Sequence, residues 1–221
     1  MKLKTAIAST ALALGLSAAG IALAENKIAP DLESVDVIHK GKIVTITRSD
    51  QAGAGLPKGY ENVARHCPPF CIQPMQVLPG VETVGELEML GYLKRIADGD
   101  DSILVVDSRE PDWVARGTIP GSIHVPWKSI NTDVSGSFAV AAEAETLDKI
   151  LTDTFGTKKT DEGWDFSNAK TLVLFCNGIW CGQSAMNIRT LAKLGYPVRK
   201  MKWYRGGMQD WVSVGLTTVT P

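Results

Sequence analysis

The spacing of hydrophobic positions changes several times along this chain, and each change marks an element. Thr171–Phe175 reads TLVLF, an unbroken apolar run of strand length, and predicts a strand buried on both faces. Residues 102–106 form a second such run that ends in Asp107. Ile123, His124 and Val125 form a third, and residues 198–204 a fourth. Helical periods lie between them. In residues 85–97 (GELEMLGYLKRIA), Leu87, Leu90, Leu93 and Ile96 recur every three positions, with Met89 and Tyr92 widening the face. Asp98-Gly99-Asp100-Asp101 stops this helix. Residues 140–152 read as helical and 156–168 as a polar loop. Residues 184–194 place Ala185, Ile188, Leu191 and Ala192 on one helical face and end at Gly195. Residues 208–212 form a last helical turn. Strands alternating with helices predict an α/β fold, a mostly parallel sheet covered by helices on both faces.

The upstream part is different. Residues 35–48 alternate apolar and polar positions around Lys40-Gly41, the pattern of a β-hairpin. Residues 49–60 are rich in Gly, Ser, Asp and Pro, a loop composition. Residues 66–74 (HCPPFCIQP) carry too much proline for a helix or a central strand. Lys2 and Lys4 open the chain, an apolar stretch fills residues 6–23, and Ala22-Leu23-Ala24 closes it. That order predicts a signal peptide cleaved after Ala24 and a periplasmic or secreted mature protein. An uncleaved membrane anchor is the competing reading. Against it, the stretch is rich in Ala and Gly and no stop-transfer charge cluster follows. The expected organisation is a signal peptide over 1–24, an extension over 25–79 and one α/β domain over 80–219, with no membrane span after cleavage.

Composition narrows the function classes. The 221 residues are 44% hydrophobic and 21% charged, with a formal net charge of −1. Nothing in that balance suggests a nucleic acid or an anionic membrane as partner. The four cysteines, Cys67, Cys71, Cys176 and Cys181, all lie beyond the predicted cleavage point. In an oxidising compartment an even count suggests disulfides, and three full pairings are open.

Residues 171–196 (TLVLFCNGIWCGQSAMNIRTLAKLGY) carry the chemistry. Cys176 stands at the carboxyl end of a buried strand, the edge where open α/β sheets gather ligands. The loop after it contains Gly178 and Gly182, and Ser184 is a suitable N-cap for the next helix. Backbone N–H groups and a helix N-terminus directed at the sulfur favour its thiolate. They lower a thiol from about 8.5 by one to several units. The expected anion and substrate cradle is Asn177, Gly178, Ile179, Trp180, Gly182, Gln183 and Ser184, with Arg205 as a cation behind it. No metal and no organic cofactor is required.

Four segments, in order, resemble the rhodanese family. They are Asp107-Ser108-Arg109-Glu110; Gly117 to Ile123 (GTIPGSI); Cys176 on its strand, loop and helix; and Leu194-Gly195-Tyr196 with Arg205 to Trp211 (RGGMQDW). The resemblance covers roughly residues 80–219 and implies a sulfurtransferase fold with Cys176 as catalytic cysteine. It implies that a small sulfane-sulfur donor forms a persulfide on Cys176, and that a thiol, a protein or another nucleophile accepts the sulfur. Three features depart from the common pattern. The loop between Cys176 and Ser184 is about two residues longer and carries no charged residue, which argues against phosphatase or arsenate chemistry and, unless Arg205 or Arg109 supplies the charge from outside, against efficient thiosulfate use. It holds a second thiol, Cys181. Thr118 stands where many members have histidine.

Cys181 is a candidate resolving thiol, able to attack a Cys176 persulfide or to protect Cys176 by reversible disulfide formation. An inert small core residue is the plain alternative. Cys67 and Cys71 form a candidate local disulfide, or else a redox or sulfur-accepting pair near the loop. A metal site there has only His66 beside it. Asp107 and Arg109 are expected to brace the fold as an ion pair. His124 is expected at the core or the sheet edge. Trp180, Trp203 and Trp211 are candidates to wall the pocket, with Trp211 expected in the core and Trp180 the better candidate to face substrate. Two other readings stay open: a thiol–disulfide redox protein using Cys176 and Cys181, and a non-catalytic binding module.

Overall fold

In the computed structural model, the placed residues are 27, 30–39, 42–46, 67, 70–133 and 141–220. The predicted signal peptide, the loop over 49–60, the Lys40-Gly41 turn and His66 lie outside the described residues. The predicted hairpin is present: β1 (Val35–His39) pairs antiparallel with β2 (Lys42–Ile46).

The remaining elements are β3 (Glu82–Val84), α1 (Glu86–Ala97), β4 (Ile103–Asp107), α2 (Pro111–Val114), β5 (Ile123–His124), α3 (Ala144–Lys149), β6 (Lys158–Thr160), β7 (Gly163–Asp165), β8 (Thr171–Phe175), α4 (Gln183–Lys193), β9 (Met201–Tyr204) and α5 (Gly207–Ser213). The apolar run of β8 has the environment its sequence requires. It is the middle of a five-stranded sheet ordered β3-β9-β8-β4-β5, and every pairing in that sheet is parallel. Its side chains alternate between two cores. Leu172 and Leu174 join Val106, Met201 and Trp203 on the face covered by Ala185, Ile188 and Leu191 of α4. Val173 and Phe175 join Ile103, Val105 and Tyr204 on the face covered by Met89 of α1 and by Met208 and Trp211 of α5. The result is a helix–sheet–helix sandwich. Register then sets the site: Phe175 lies opposite Asp107 on one side and Tyr204 on the other. The segments that start at Ser108, Cys176 and Arg205 therefore leave the sheet at the same edge.

Several elements differ from the sequence expectation. The buried face of α1 is Met89 with Tyr92, Leu93 and Ile96, while Leu87 and Leu90 are exposed. A strict three-residue step falls about 60° short of a full turn each time, so four such positions cannot share one face. Residues 158–165 form the antiparallel hairpin β6–β7 instead of a loop. Its strands are three residues long and largely exposed, too short and polar for periodicity to reveal. The same shortness hid β3, and α2 also went unpredicted. The segment over 198–204 is split: Val198–Lys200 is a 3-10 turn after Pro197, and only Met201–Tyr204 joins the sheet. The helix within 140–152 spans Ala144–Lys149 and widens into a π turn over Ile150–Thr154.

Candidate active site

Cys176 follows the last residue of the central strand, and its loop closes within a few residues. The Cys181 N–H donates to the Gly178 carbonyl at 2.9 Å, and α4 begins at Gln183 with Gly182 as its N-cap. Ser184 does not cap this helix. It sits inside the first turn, fully buried, with its Oγ donating to Cys176 Sγ at 3.2 Å. Trp203 Nε1 donates to the same Ser184 Oγ at 3.0 Å. The Cys176 thiol donates to the Cys181 carbonyl at 3.2 Å. Both Cys176 and Cys181 are free thiols and both are buried.

Burial alone pushes the Cys176 thiol up. Hydrogen bonds from the Cys181 thiol, the Ser184 hydroxyl and the amides of Ser184 and Gly178 outweigh it and bring the thiol down to about 7. Burial pushes the Cys181 thiol well up, and its bond to the Cys176 sulfur and the nearby thiolate charge push the same way. The two thiols are thus moved in opposite directions, Cys176 down and Cys181 up, as expected when two titrating groups share one site.

The closing segment holds the loop from the other side. Amides at the start of α5 donate to loop carbonyls, Met208 to Cys176 and Gln209 to Asn177, at 3.0 and 2.9 Å. This approach requires glycine at 207. Its φ is +55°, and a Cβ there would lie 2.3 Å from the Cys176 carbonyl oxygen. Gln209 Oε1 accepts from Trp180 Nε1 at 2.7 Å. Asn177 Nδ2 reaches Cys181 Sγ at 3.8 Å, and Cys181 Sγ reaches Gln183 Oε1 at 3.6 Å.

Two expected roles change. Trp180 does not open toward solvent: it is buried with Cys176 and Cys181, and the partly buried Phe70 and Ile179 pack against them. Arg205 makes its hydrogen bonds to the extension. Its guanidinium donates to the carbonyls of Gln73 and Pro74, at 2.8 Å for Nη2 to Gln73. The extension is therefore fastened over the site, and the Gln73 N–H adds a bond to the Ile179 carbonyl at 2.9 Å. Cys67 and Cys71 are joined by a disulfide that encloses Phe70. Phe70, Gln73 and Gln209 escaped sequence reasoning. The available signal was an aromatic side chain held between two closely spaced cysteines.

Asp107 and Arg109 form a buried pair at 2.6 Å. Arg109 also donates to the Gly117 carbonyl, and the Thr118 hydroxyl donates to Asp107. These residues tie the end of β4 to the segment before β5, and the Arg109 guanidinium is bonded to Asp107, Trp113 and Gly117. His124 is exposed on edge strand β5, with Nε2 2.8 Å from the Arg109 carbonyl. Trp211 is buried in the core and donates to the Thr217 carbonyl.

The sequence profile of the Rhodanese-like domain matches residues 90–214. Solved structures with a similar fold include the BH2092 protein of Bacillus halodurans, 19% identical, with a TM-score of 0.42, covering 63% of this chain and 77% of that one. The human single-domain sulfurtransferase TSTD1 is 21% identical, with a TM-score of 0.39, covering 60% and 96%. A protein from Saccharomyces cerevisiae is 28% identical, with a TM-score of 0.38, covering 61% and 93%. None of the curated proteins compared with the chain matches it.

Proposed function

Because the chain belongs to the rhodanese-like domain family, we propose that it is a sulfurtransferase working through a persulfide on Cys176, in a compartment outside the cytoplasm. The observation that carries this reading is a buried thiol at the end of the central strand, with the Ser184 hydroxyl donating to its sulfur at 3.2 Å; the donors around it bring the thiol down to about 7. In the first half-reaction the Cys176 thiolate attacks the sulfane sulfur of a donor. A sulfur–sulfur bond forms on Cys176 as the donor's bond to that sulfur breaks, and the donor remnant leaves with the electron pair. In the second, an acceptor thiolate attacks the terminal sulfur, takes it, and returns the Cys176 thiolate. The Gly178 and Ser184 amides and the Ser184 hydroxyl stabilise the sulfur anion at both ends of the cycle. A loop without a charged side chain fits donors of low charge, such as persulfides and polysulfides, better than a dianionic oxyanion.

Cys181 supports a second outcome for the same persulfide. Its protonated thiol neighbours Cys176. Attack on the inner sulfur would join Cys176 to Cys181 and release hydrogen sulfide, and an external thiol would then reduce the disulfide.

Mass spectrometry after treatment with a sulfane-sulfur donor tests the reading. A gain of about 32 daltons, the mass of one sulfur atom added as in thiol–persulfide exchange, is expected on the Cys176 peptide and absent in Cys176→Ser. If no sulfur is added, the enzyme reading fails and the binding-module reading stands. Cys181→Ser is expected to retain the persulfide and its turnover. If turnover vanishes with Cys181, the chain is a thiol–disulfide protein instead.

A further inference from the structure

We propose that Trp203 is a positioning residue for the Cys176 thiolate: its indole N–H fills the acceptor side of Ser184 Oγ and commits the serine's single proton to the sulfur. The contacts form a chain in one direction. Trp203 Nε1 donates to Ser184 Oγ at 3.0 Å, and Ser184 Oγ donates to Cys176 Sγ at 3.2 Å. All three residues are nearly or fully buried, so solvent does not compete for either bond.

The direction follows from the inventory of protons. An indole N–H can only donate, whereas a hydroxyl has one proton and two lone pairs. A serine hydroxyl in a helix has the carbonyls three and four residues earlier as alternative acceptors, here Cys181 and Trp180. The indole is a second donor that must be accepted, and accepting it leaves the hydroxyl proton to Cys176. Bonds linked this way also polarise one another. The fold supplies the indole at the right depth. Trp203 is paired in register with Leu174, two residues before Cys176, and faces the same core as α4. A buried tryptophan in a parallel strand needs a partner for its N–H, and the site uses that need.

The elements packed against the Cys176 loop carry other charged and titratable groups. Asp210, on α5, is pushed up by burial and by Glu86 and pulled down by Arg205, and Tyr204 donates to Glu86. Cys181 acts on the sulfur from the loop. Asp107 and Arg109, from β4, are bonded to each other. Arg205, after β9, is bonded to the Gln73 and Pro74 carbonyls.

The inference rests on Cys176 being the reacting sulfur. Its test measures the thiolate directly, so it can fail while persulfide formation succeeds. The rate of Cys176 alkylation, followed by mass spectrometry of its peptide, is measured across pH in the full chain. Trp203→Phe removes the N–H. Site-specific β-(3-benzothienyl)alanine at position 203 removes it while keeping the bicyclic shape, and decides the matter if Trp203→Phe does not fold. Either change is expected to move the midpoint upward and to slow alkylation about fivefold below neutrality, the size of one ordinary hydrogen bond. Ser184→Ala is expected to shift it at least as far, and adding either change at 203 to Ser184→Ala is expected to do nothing more. An unmoved midpoint with the isostere overturns the proposal. So does a shift that persists in full without the Ser184 hydroxyl, since Trp203 would then act by another route.

Discussion

The Phe70 ring stands edge-on to Trp180, with ring centroids 5.2 Å apart and planes at 88°. That contact joins the extension to the loop of the candidate nucleophile. An aromatic pair of this geometry contributes about 0.5–1.5 kcal/mol beyond its burial. Phe70→Ala is therefore expected to raise the alkylation rate of Cys176 roughly two- to tenfold at fixed pH, with its pH midpoint unchanged. An unchanged rate would show that the covering segment does not limit access to the sulfur.

Glycine at 207 is required and glycine at 91 is not. A Cβ at 207 would meet the Cys176 carbonyl oxygen at 2.3 Å, on a backbone that L side chains rarely adopt. At Gly91, inside α1, nothing lies within 4 Å of the added carbon. Gly207→Ala is expected to cost about 2–4 kcal/mol, the range of overpacking and backbone strain together. Gly91→Ala is expected to stabilise by up to about 1 kcal/mol. Urea denaturation measures both, and equal effects would contradict the close packing of α5 on the loop.

Cys176 should titrate near neutrality. The thiolate is the reactive form, and the thiol is brought down to about 7. Alkylation is expected to be slow at pH 5, half-maximal at about pH 7 and level above pH 8. Cys181→Ala removes a donor to the thiolate, so the midpoint is expected to move up. A downward move would mean that Cys181 acts chiefly by repulsion as a second anion.

Asp107→Asn should be among the most destabilising polar changes. It leaves the Arg109 guanidinium, 3% exposed, without its counter-charge. Breaking a buried pair this way costs about 3–5 kcal/mol. Asp112→Asn removes an exposed pair with Arg116 and is expected to be near neutral. Chemical denaturation separates the two, and similar midpoints would reject the bracing role.

The legible parts of this protein were those with long, consistent signals. TLVLF announced the central strand, and the position of Cys176 after it announced the site. The Arg205–Trp211 segment was visible as a motif, yet its reason, the approach of Gly207 to the Cys176 carbonyl, appears only in three dimensions. Ser184 suits a cap by residue type, but the turn starting one residue earlier sends its hydroxyl to sulfur instead. Arg205 looked like a site cation because sequence proximity cannot say which carbonyls a guanidinium will find. β3, β6 and β7 fell below the length at which alternation carries information. Phe70 reaches the site from a sequence-distant segment, through a packing that no local period encodes; Trp203 was legible as a candidate pocket wall, but its bond to Ser184 was not.

The loop over residues 177–183 bears no charged side chain, and Arg109 and Arg205 are engaged elsewhere. What attracts an anion here is a set of amide and hydroxyl dipoles, whose field fades within a few ångströms. Dissolved ions screen charges across a Debye length of about 8–10 Å, farther than those dipoles reach. If Cys176 takes sulfur as proposed, its encounter with a donor is thus expected to be nearly indifferent to ionic strength, unlike a site that draws its substrate in through a field of fixed cations.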